Sequence, residues 1–360
     1  MGSRLRGNDG RTEDDAMNTR DLQSQREAFY ERIDPQNMAP LWTRLKSLVP
    51  REPAPAGVPH HWRYADVRPY VLESAQHISA KEAERRVLIL ENPGLRGTSQ
   101  ITSTLYAGLQ LIMPGEVAPA HRHTQSALRF IVEGHGAYTA VEGEKTLMEP
   151  GDFVITPSWT WHHHGNESAE PMVWLDGLDI PLAAFFGSTF REDHREDEAP
   201  VTRPEGDSLA RYGSGLLPVG YDCAGLNSPV FNYPWSRTRE ALHALERGAE
   251  PDPHLGHLMR YANPVDGGWA MPTMATMIRL LPAGFATRPY CSTDSMVFVV
   301  VEGTGHAEAA GRRFDLAPRD VFVIPGWIPY TIHAQAGLAL FAYSDRVAQE
   351  KLGLFRERRL

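Results

Sequence analysis

The stretch GEVAPAHRHTQSALRFIVEG at residues 115–134 decides the fold, together with PGDFVITPSWTWHHHGN at residues 150–166. In both stretches, short apolar runs alternate with polar residues and end at glycine or proline, the pattern of antiparallel strands joined by tight turns. The same pattern runs from Thr102 to Leu178 and returns from Met271 to Ser344. Each region therefore predicts an antiparallel barrel or sandwich.

The two β-rich regions repeat each other. EGHG at residues 133–136 aligns with EGTG at residues 302–305, an offset of 169 positions. GDFVITP at residues 151–157 aligns with RDVFVIP at residues 319–325, an offset of 168 positions. Regular spacing of this kind indicates that one unit was duplicated. The sequence therefore predicts two antiparallel β-barrels of the same design.

Histidines in the first repeat stand at a spacing that suits one metal ion. Residues two apart on a strand point to the same face, so His121 and His123 can both aim into the barrel. A third imidazole, from the strand that holds His162, would complete one face of an octahedron. Three neutral imidazoles with open positions favour iron that binds substrate and oxygen together, although zinc, copper and nickel also accept imidazole. The alternative is a surface pair on an edge strand, which the surrounding glycine and proline spacing disfavours.

The metal positions are not repeated in the second region. The same offsets place Tyr290, Ser292 and Tyr330 at the counterparts of the three histidines. Phenol and alcohol oxygens stay protonated near neutral pH and bind Fe(II) poorly. We therefore expect one Fe(II) per chain, in the first barrel. The second barrel is expected to be a structural or oligomerisation copy, with a leftover pocket for a small ligand as the alternative.

Strand alternation also predicts which residues surround the metal. Counting by twos from His123 places Gln125, Ala127, Arg129 and Ile131 on the inward face. A buried arginine needs an anion. For Arg129 this is either a substrate carboxylate, held by the planar guanidinium, or an interior Asp or Glu.

Neighbouring strands contribute further candidates. Tyr106, Gly108 and Gln110 share one face of their strand and form either a pocket wall or an outward, solvated face. His164 should reach the cavity without binding the metal, where it moves a proton or binds a substrate hydroxyl. Asp176 orients a histidine, accepts a phenol proton or caps a turn.

Longer stretches of the chain, over roughly residues 38–358, resemble the gentisate 1,2-dioxygenase family of ring-cleaving enzymes. The motifs are similar to the two cupin motifs, and the duplication resembles a bicupin, although Ala127 stands where cupins usually carry a glutamate ligand. The runs that carry the resemblance are TLYAGLQLIMPGE, HRHTQSALRFIVEG, PGDFVITP, WTWHHHGN and VWLDGLDIPL, followed in the second half by VTRPEGDSLARYGSGLLPVGY and GGWAMPT.

The resemblance implies a function. Enzymes of this family use Fe(II) and O2 to open the ring of a small aromatic acid, and gentisate (2,5-dihydroxybenzoate) yields maleylpyruvate. It also implies a homotetramer and, at Arg85, a cation near the substrate carboxylate, for which the alternative is a solvated arginine at a helix end. Tyr106 favours gentisate among the possible substrates.

Three other functions stay open at this point. The first is the same reaction on salicylate or 1-hydroxy-2-naphthoate. The second is a non-catalytic cupin that binds an aromatic acid, for which a fused DNA-binding helix-turn-helix would be typical and none is seen. The third is a cupin enzyme that uses zinc or manganese, such as an isomerase. Enzymes of that kind usually keep the carboxylate ligand that Ala127 replaces here.

Helical signals lie outside the barrels. An amphipathic pattern from Asn18 stops at Pro35, the pattern Ser79-Ala80-Lys81-Glu82 predicts a second helix that ends near Arg85, and a third is predicted over residues 237–247. The predicted fold is a mainly β bicupin of two double-stranded β-helices. Its expected parts are a disordered leader (1–16), a helical N-terminal arm (17–100), a catalytic barrel (101–190), a linker and helix (191–265) and a metal-free barrel (266–360).

Composition excludes several classes of protein. The formal net charge is −9, from 36 Lys and Arg against 45 Asp and Glu, which argues against a nucleic-acid partner. No stretch approaches the about 18 apolar residues of a membrane span, and the N-terminus lacks a secretory pattern. The 2 cysteines are too few for a disulfide framework or a thiolate zinc site, so we expect a cytoplasmic protein.

Overall fold

The structure is a computed structural model, and it describes residues 13–221 and 226–360. The chain falls into two compact units, Met1–Ala54 and Pro55–Leu360. Within the described ranges, no helix combines the length and the apolar character that a bilayer crossing needs.

The first unit is helical. It holds α1 (Glu13–Ile33) and α2 (Leu41–Leu48). Helix α1 ends shortly before Pro35, as expected, because proline lacks the N–H that would continue the helix. The helix begins at Glu13, so residues 13–16 of the predicted leader are helical, while residues 1–12 lie outside the described chain.

The first β-rich region forms eight strands, in the place where the sequence predicts them. Ahead of them lie β1 (His60–Trp62), α3 (Tyr64–Glu73) and β2 (Val87–Ile89). The eight strands are β3 (Tyr106–Ile112), β4 (Val117–His123), β5 (Ala127–Glu133), β6 (Ala137–Val141), β7 (Glu144–Leu147), β8 (Phe153–Thr156), β9 (His162–Asn166) and β10 (Met172–Leu178).

The connection between the repeats contains more regular structure than its sequence indicates. Its helix over residues 237–247 is confirmed as part of α6. The elements are α4 (Ile180–Phe185), β11 (Arg191–Asp193), α5 (Asp207–Tyr212), β12 (Asn232–Tyr233), α6 (Trp235–Gly248) and β13 (His257–Arg260).

The second β-rich region again forms eight strands. They are β14 (Ala275–Leu281), β15 (Tyr290–Ser292), β16 (Met296–Glu302), β17 (Gly305–Ala309), β18 (Arg312–Leu316), β19 (Val321–Ile324), β20 (Tyr330–Ala334) and β21 (Leu338–Ser344). The chain then forms α7 (Arg346–Lys351) and β22 (Glu357–Arg359).

The strands form four sheets, two for each repeat. The first repeat has the orders β12-β8-β5-β10-β3-β2 and β11-β4-β9-β6-β7, and the second has β1-β19-β16-β21-β14-β13 and β18-β17-β20-β15-β22. Equivalent strands of the two repeats occupy equivalent places, and the named strands pair antiparallel, which confirms the duplication. We call the two pairs of sheets the first barrel and the second barrel.

One hydrophobic core contains residues of both barrels, and each barrel also has a smaller core of its own. The rings of Phe130, from β5, and Phe341, from β21, stack with their centroids 4.3 Å apart. The segment that precedes the first barrel also joins both, because β1 pairs with β19 and β2 pairs with β3. The predicted arm, at residues 55–100, therefore lies in the same compact unit as both barrels.

The helix predicted from Ser79 is wrong. The Ser79 hydroxyl does accept a hydrogen bond from the Glu82 backbone N–H at 3.1 Å, the expected first half of a capping box. However, Glu84 adopts a left-handed conformation with φ of +56°, which a right-handed helix cannot contain. Residues 79–85 therefore form turns only, and Arg85 does not lie at a helix end.

Candidate active site

Three histidines from two adjacent strands converge in the first barrel. His121 and His123 extend from β4, and His162 from β9 lies directly opposite His121 in the strand pairing. The ring centroids are 4.6 to 5.4 Å apart. One nitrogen from each ring lies within 4.8 Å of the other two, close enough for all three to hold one ion.

The hydrogen bonds of these rings fit a metal. The Nδ1 atoms of His123 and His162 lie 2.9 Å from the carbonyl oxygens of Gln125 and Thr160, so each Nδ1 carries the proton and leaves Nε2 with a lone pair. Nε2 of His162 is buried without a hydrogen-bond partner, which is costly unless an ion fills the place. The donor set therefore fits a divalent ion that accepts imidazole.

The surroundings keep the imidazoles neutral, as metal ligation requires. Burial lowers the pKa of His121 to about 2 and that of His123 to about 4. The nearby cations Arg85 and Arg129 contribute to both shifts. Burial also moves the pKa of His162 well below its usual range.

A cavity of about 370 Å³ lies in front of the three histidines. This volume accommodates a single aromatic ring with its substituents. Its wall includes aliphatic side chains such as Val87 and Leu178, which limit contact with water. The polar residues predicted from sequence that line it are Arg85, Tyr106, Gln110, Arg129 and Asp176.

Arg129 is buried at the back of this cavity with one donor free. Its Nη2 lies 2.9 Å from His164 Nε2 and its Nη1 donates to the Thr156 hydroxyl. Its Nε has no hydrogen-bond partner and lies 3.6 Å from Oδ1 of Asp176. This geometry fits both predicted roles of Arg129. The interior carboxylate of Asp176 balances its charge, and its Nε–H remains for a ligand.

His164 does not line the cavity, contrary to the prediction. An arginine only donates hydrogen bonds, so His164 Nε2 must accept from Arg129, and Nδ1 donates to the Thr139 hydroxyl at 3.0 Å. Burial keeps its pKa well below the usual range, so the ring is neutral. His164 is therefore placed to hold Arg129 rather than to move a proton from a substrate.

Asp176 is a buried acid in the middle of β10, so the turn-capping interpretation is wrong. Its Oδ1 accepts a hydrogen bond from the Trp174 indole N–H at 2.9 Å, and the other interpretation, that it orients a histidine, has no supporting contact among the described residues. Burial raises its pKa to about 6, although Arg129 and Arg85 act in the opposite direction. A carboxylate with this pKa is ionised near neutral pH and can accept a proton from a bound phenol.

Gly108 contributes by lacking a side chain. A Cβ atom there would lie 2.4 Å from Val87 Cγ1 and 2.9 Å from the Tyr106 hydroxyl. These two side chains fill the space beside Gly108, and Gly108 itself, unlike Tyr106 and Gln110, is not part of the cavity wall. Its role is to let the side chains of Val87 and Tyr106 pack against the backbone of β3.

Arg85 is a half-buried cation in a turn, so the alternative of a solvated helix end is wrong. Its Nη1 donates to the carbonyl oxygens of Glu84 at 2.8 Å and Pro119 at 3.0 Å, and its Nη2 is buried without a partner. Burial, together with the neighbouring Arg129, lowers its pKa to about 9. Arg85 and Arg129 therefore each keep one unused donor in the buried site.

Arg191 is a wall residue that the sequence does not reveal. It opens β11, where it pairs with His123 of β4, and its Nη1 lies 2.6 Å from Oε2 of Glu84. The run REDHREDE, residues 191–198, has no apolar alternation, and all three residues of β11 are exposed. The triplet Arg-Glu-Asp, one positive residue followed by two negative ones, offers no alternation of charge that could have marked it.

Comparison with known proteins agrees with this geometry. The family profile described as "Cupin domain" matches residues 108–178. "Gentisate 1,2 dioxygenase 1" of Aquipseudomonas alcaligenes is 52% identical over 93% of this chain and 96% of its own length. The chain belongs to the gentisate 1,2-dioxygenase family. It is therefore a ring-cleaving dioxygenase with a bicupin fold.

Two other members of this group of dioxygenases are also similar. The gentisate 1,2-dioxygenase of a Streptomyces species is 39% identical over 92% of this chain and 94% of its own length. The crystal structure of the salicylate 1,2-dioxygenase from Pseudaminobacter salicylatoxidans superposes with a TM-score of 0.87 at 35% identity, covering 93% of this chain and 97% of that one. The same fold therefore extends over most of the dioxygenase chain.

The second barrel of this dioxygenase has other contacts at the metal positions. The Tyr290 hydroxyl donates to Oε2 of Glu357 at 2.8 Å, and the Tyr330 hydroxyl accepts from Nη2 of Arg279 at 3.4 Å. Glu357 pairs with Ser292 as Arg191 pairs with His123 in the first barrel. Apart from the histidine triad, the described residues contain no group of three side chains placed to share a metal ion.

We predict one metal equivalent per chain. Protein reconstituted anaerobically with excess Fe(II) and then desalted should approach one iron by metal analysis, because only the first barrel brings three imidazoles together. The His121→Ala variant is the control and should retain close to none. Two equivalents, or one equivalent in the variant, would place a metal in the second barrel.

Proposed function

We propose that this chain binds one Fe(II) through His121, His123 and His162 and converts gentisate and O2 to maleylpyruvate. The observation that carries the proposal is the meeting of three neutral imidazoles with two buried guanidinium donors and a carboxylate in one cavity. The relative at 52% identity is named a gentisate dioxygenase, and the salicylate dioxygenase has a crystal structure with gentisate bound.

The charge of the site favours a dianionic substrate. Three neutral histidines leave a divalent ion with its full charge, and Arg85 and Arg129 add two more positive charges, which Asp176 offsets in part. A carboxylate next to an ionised phenol supplies two negative charges on adjacent ring positions. Such a pair matches both the ion and the free arginine donors.

The residues of the chain then have separate tasks. The chemistry that Fe(II) supplies when bound is electron transfer between an aromatic ring and O2. The free donors of Arg85 and Arg129 bind the substrate carboxylate, and His164 holds Arg129 in place through its Nε2. Asp176 accepts a phenol proton at its carboxylate. The ring opens between the carboxyl-bearing and hydroxyl-bearing carbons, and both oxygen atoms enter the product.

Salicylate is the second candidate substrate, because the solved relative with a TM-score of 0.87 is a salicylate dioxygenase. It keeps the carboxylate and the adjacent hydroxyl that the site requires. The second hydroxyl of gentisate, para to the first, donates electron density to the ring and should raise its rate. Tyr106, whose phenol has its pKa raised by burial, provides a neutral hydrogen-bonding group in the cavity wall.

A substrate panel tests the proposal. Iron-reconstituted protein is mixed with gentisate, salicylate or 1-hydroxy-2-naphthoate, and oxygen uptake and ring-opened product are measured together. We expect one O2 consumed per gentisate and the highest kcat/KM for gentisate. A higher kcat/KM for salicylate than for gentisate would make salicylate the preferred substrate. No oxygen uptake with any of the three would contradict the proposal.

We further propose the two barrels over residues 101–190 and 266–360, together with the homotetramer and the cytoplasmic location that the family resemblance and the composition support. Light scattering on the purified protein tests the tetramer, and cell fractionation tests the location. A monomer in solution or a membrane-associated fraction would contradict them.

A further inference from the structure

The strand pairing is interrupted where the metal ligands lie. Strand β4 pairs with β9 at Val117 and Ala118, the register then shifts, and the remaining pair is His121 with His162. Irregularities of this kind re-aim side chains next to functional sites. The ladder between β4 and β9 is therefore locally disrupted beside the ligands. Contacts outside the ladder then contribute to holding the two ligand strands in their relative position.

Arg122 provides such a contact. It lies between two metal ligands in β4, so its side chain points to the opposite face of the strand. The guanidinium carbon lies 4.5 Å from the ring centroid of Trp159 and 4.7 Å from that of Trp161. Both tryptophans belong to the turn that leads from β8 into β9, and Trp161 immediately precedes His162. The cation thus connects the strand of two ligands with the start of the strand that carries the third.

Further hydrogen bonds hold Arg122 and the turn between β8 and β9 in position. Nε and Nη2 of Arg122 both donate to Oε2 of Glu192 in β11, at 2.8 and 2.5 Å. The backbone N–H of Trp159 donates to the carbonyl oxygen of His123 at 2.8 Å. The residue before Glu192 is Arg191, which lines the cavity. Arg122, itself in β4, therefore contacts two further segments that lead into the site, the turn between β8 and β9 and the strand β11.

We propose that Arg122 is a positioning residue that sets the spacing of the three histidines through its contact with Trp159 and Trp161. The stacked contacts are the stronger part of the arrangement, because the ion pair with Glu192 is exposed and such pairs contribute little. Residues that orient metal ligands from outside the ligand set typically change metal affinity by about 10–100-fold. The proposal rests on the metal site of the proposed function but not on its substrate.

Metal affinity tests this inference without reference to turnover. Apoprotein of the wild type, Arg122→Leu, Arg122→Lys and Glu192→Gln is titrated anaerobically with Fe(II) against a competing chelator. We expect Arg122→Leu to weaken binding about 10–100-fold. Arg122→Lys should lie between it and the wild type, because lysine keeps the charge but loses the flat stacking surface. The matched control, Glu192→Gln, should weaken binding by less than about fivefold.

Thermal unfolding of each apoprotein shows whether the variants fold. If Arg122→Leu does not fold, Trp161→Leu removes one stacking face and should weaken iron binding in the same direction. Two results would overturn the stacking role. One is wild-type Fe(II) affinity in a folded Arg122→Leu protein, and the other is a loss of affinity in Glu192→Gln as large as that in Arg122→Leu. A wild-type protein that binds no Fe(II) would instead count against the proposed function.

Discussion

His162→Ala is expected to leave the barrel folded, to retain no iron after desalting and to lose ring cleavage. The reason is that the ion has only three protein ligands, and Nε2 of His162 is the one that is buried without another partner. Changes in residues around a metal site already cost about 10–100-fold in affinity, so losing a direct ligand costs more. Iron content and oxygen uptake with gentisate measure both effects. His121→Ala and His123→Ala should give the same result.

His163 offers a matched control in the same strand. It is also buried and its Nε2 likewise has no hydrogen-bond partner, but its Nδ1 accepts from the Ala199 backbone N–H at 3.3 Å and its ring contacts Tyr138 at right angles. Its place next to His162 in the strand directs its side chain to the opposite face from the triad. His163→Asn should therefore keep one iron per chain. Full iron and near-normal turnover in His162→Ala would remove that residue from the ligand set.

Arg129→Leu is expected to raise KM for gentisate and to lower kcat/KM. The loss should correspond to about 2–5 kcal/mol of transition-state stabilisation, the cost of cutting one side of a buried charge pair. The guanidinium is fully buried and has a free Nε beside the cavity. Its loss also removes the cation that lowers the pKa of Asp176, so the pKa of that carboxyl should rise above about 6. The variant should therefore lose activity on the acid side at a higher pH than the wild type.

Steady-state kinetics across pH, with thermal unfolding alongside, separate binding from stability. Arg129→Lys is the conservative control and should recover part of kcat/KM, since it keeps the charge and loses the planar pair of donors. Unchanged kinetics in the leucine variant would contradict the carboxylate role. A large loss of stability with normal kinetics in the surviving fraction would make Arg129 a structural partner of Asp176.

The residues of the metal centre were predictable because each rests on strand alternation. His121 and His123 are two apart, and the repeat at residues 151–157 and 319–325 locates the strand before His162. Alternation within β3 also found Gln110, whereas Arg129 lines the cavity although the count from His123 crosses the break between β4 and β5. These inferences need only the direction in which a side chain leaves a strand.

The errors arose where a long-range contact decides the outcome. His164 has the right direction but lies against Arg129, which no spacing rule can place. The Ser79 motif forms its hydrogen bond, yet the chain must turn so that Arg85 enters the cavity. Arg191 lies in a strand of three charged residues that exists because β4 offers it a free edge. Tertiary pairing overrides local propensity in each case.

The pairing of β1 with β19 has a consequence for synthesis on the ribosome. His61 hydrogen-bonds to Asp320, 259 positions later in the chain. At the usual elongation rates of about 5–20 residues per second, the segment around His61 waits about 10–50 s for its partner. The first barrel can form its own sheets during this interval, since its strands are consecutive. The segment of β1 meanwhile stays without its strand partner, so this part of the sheet is completed only after β19 has been synthesised.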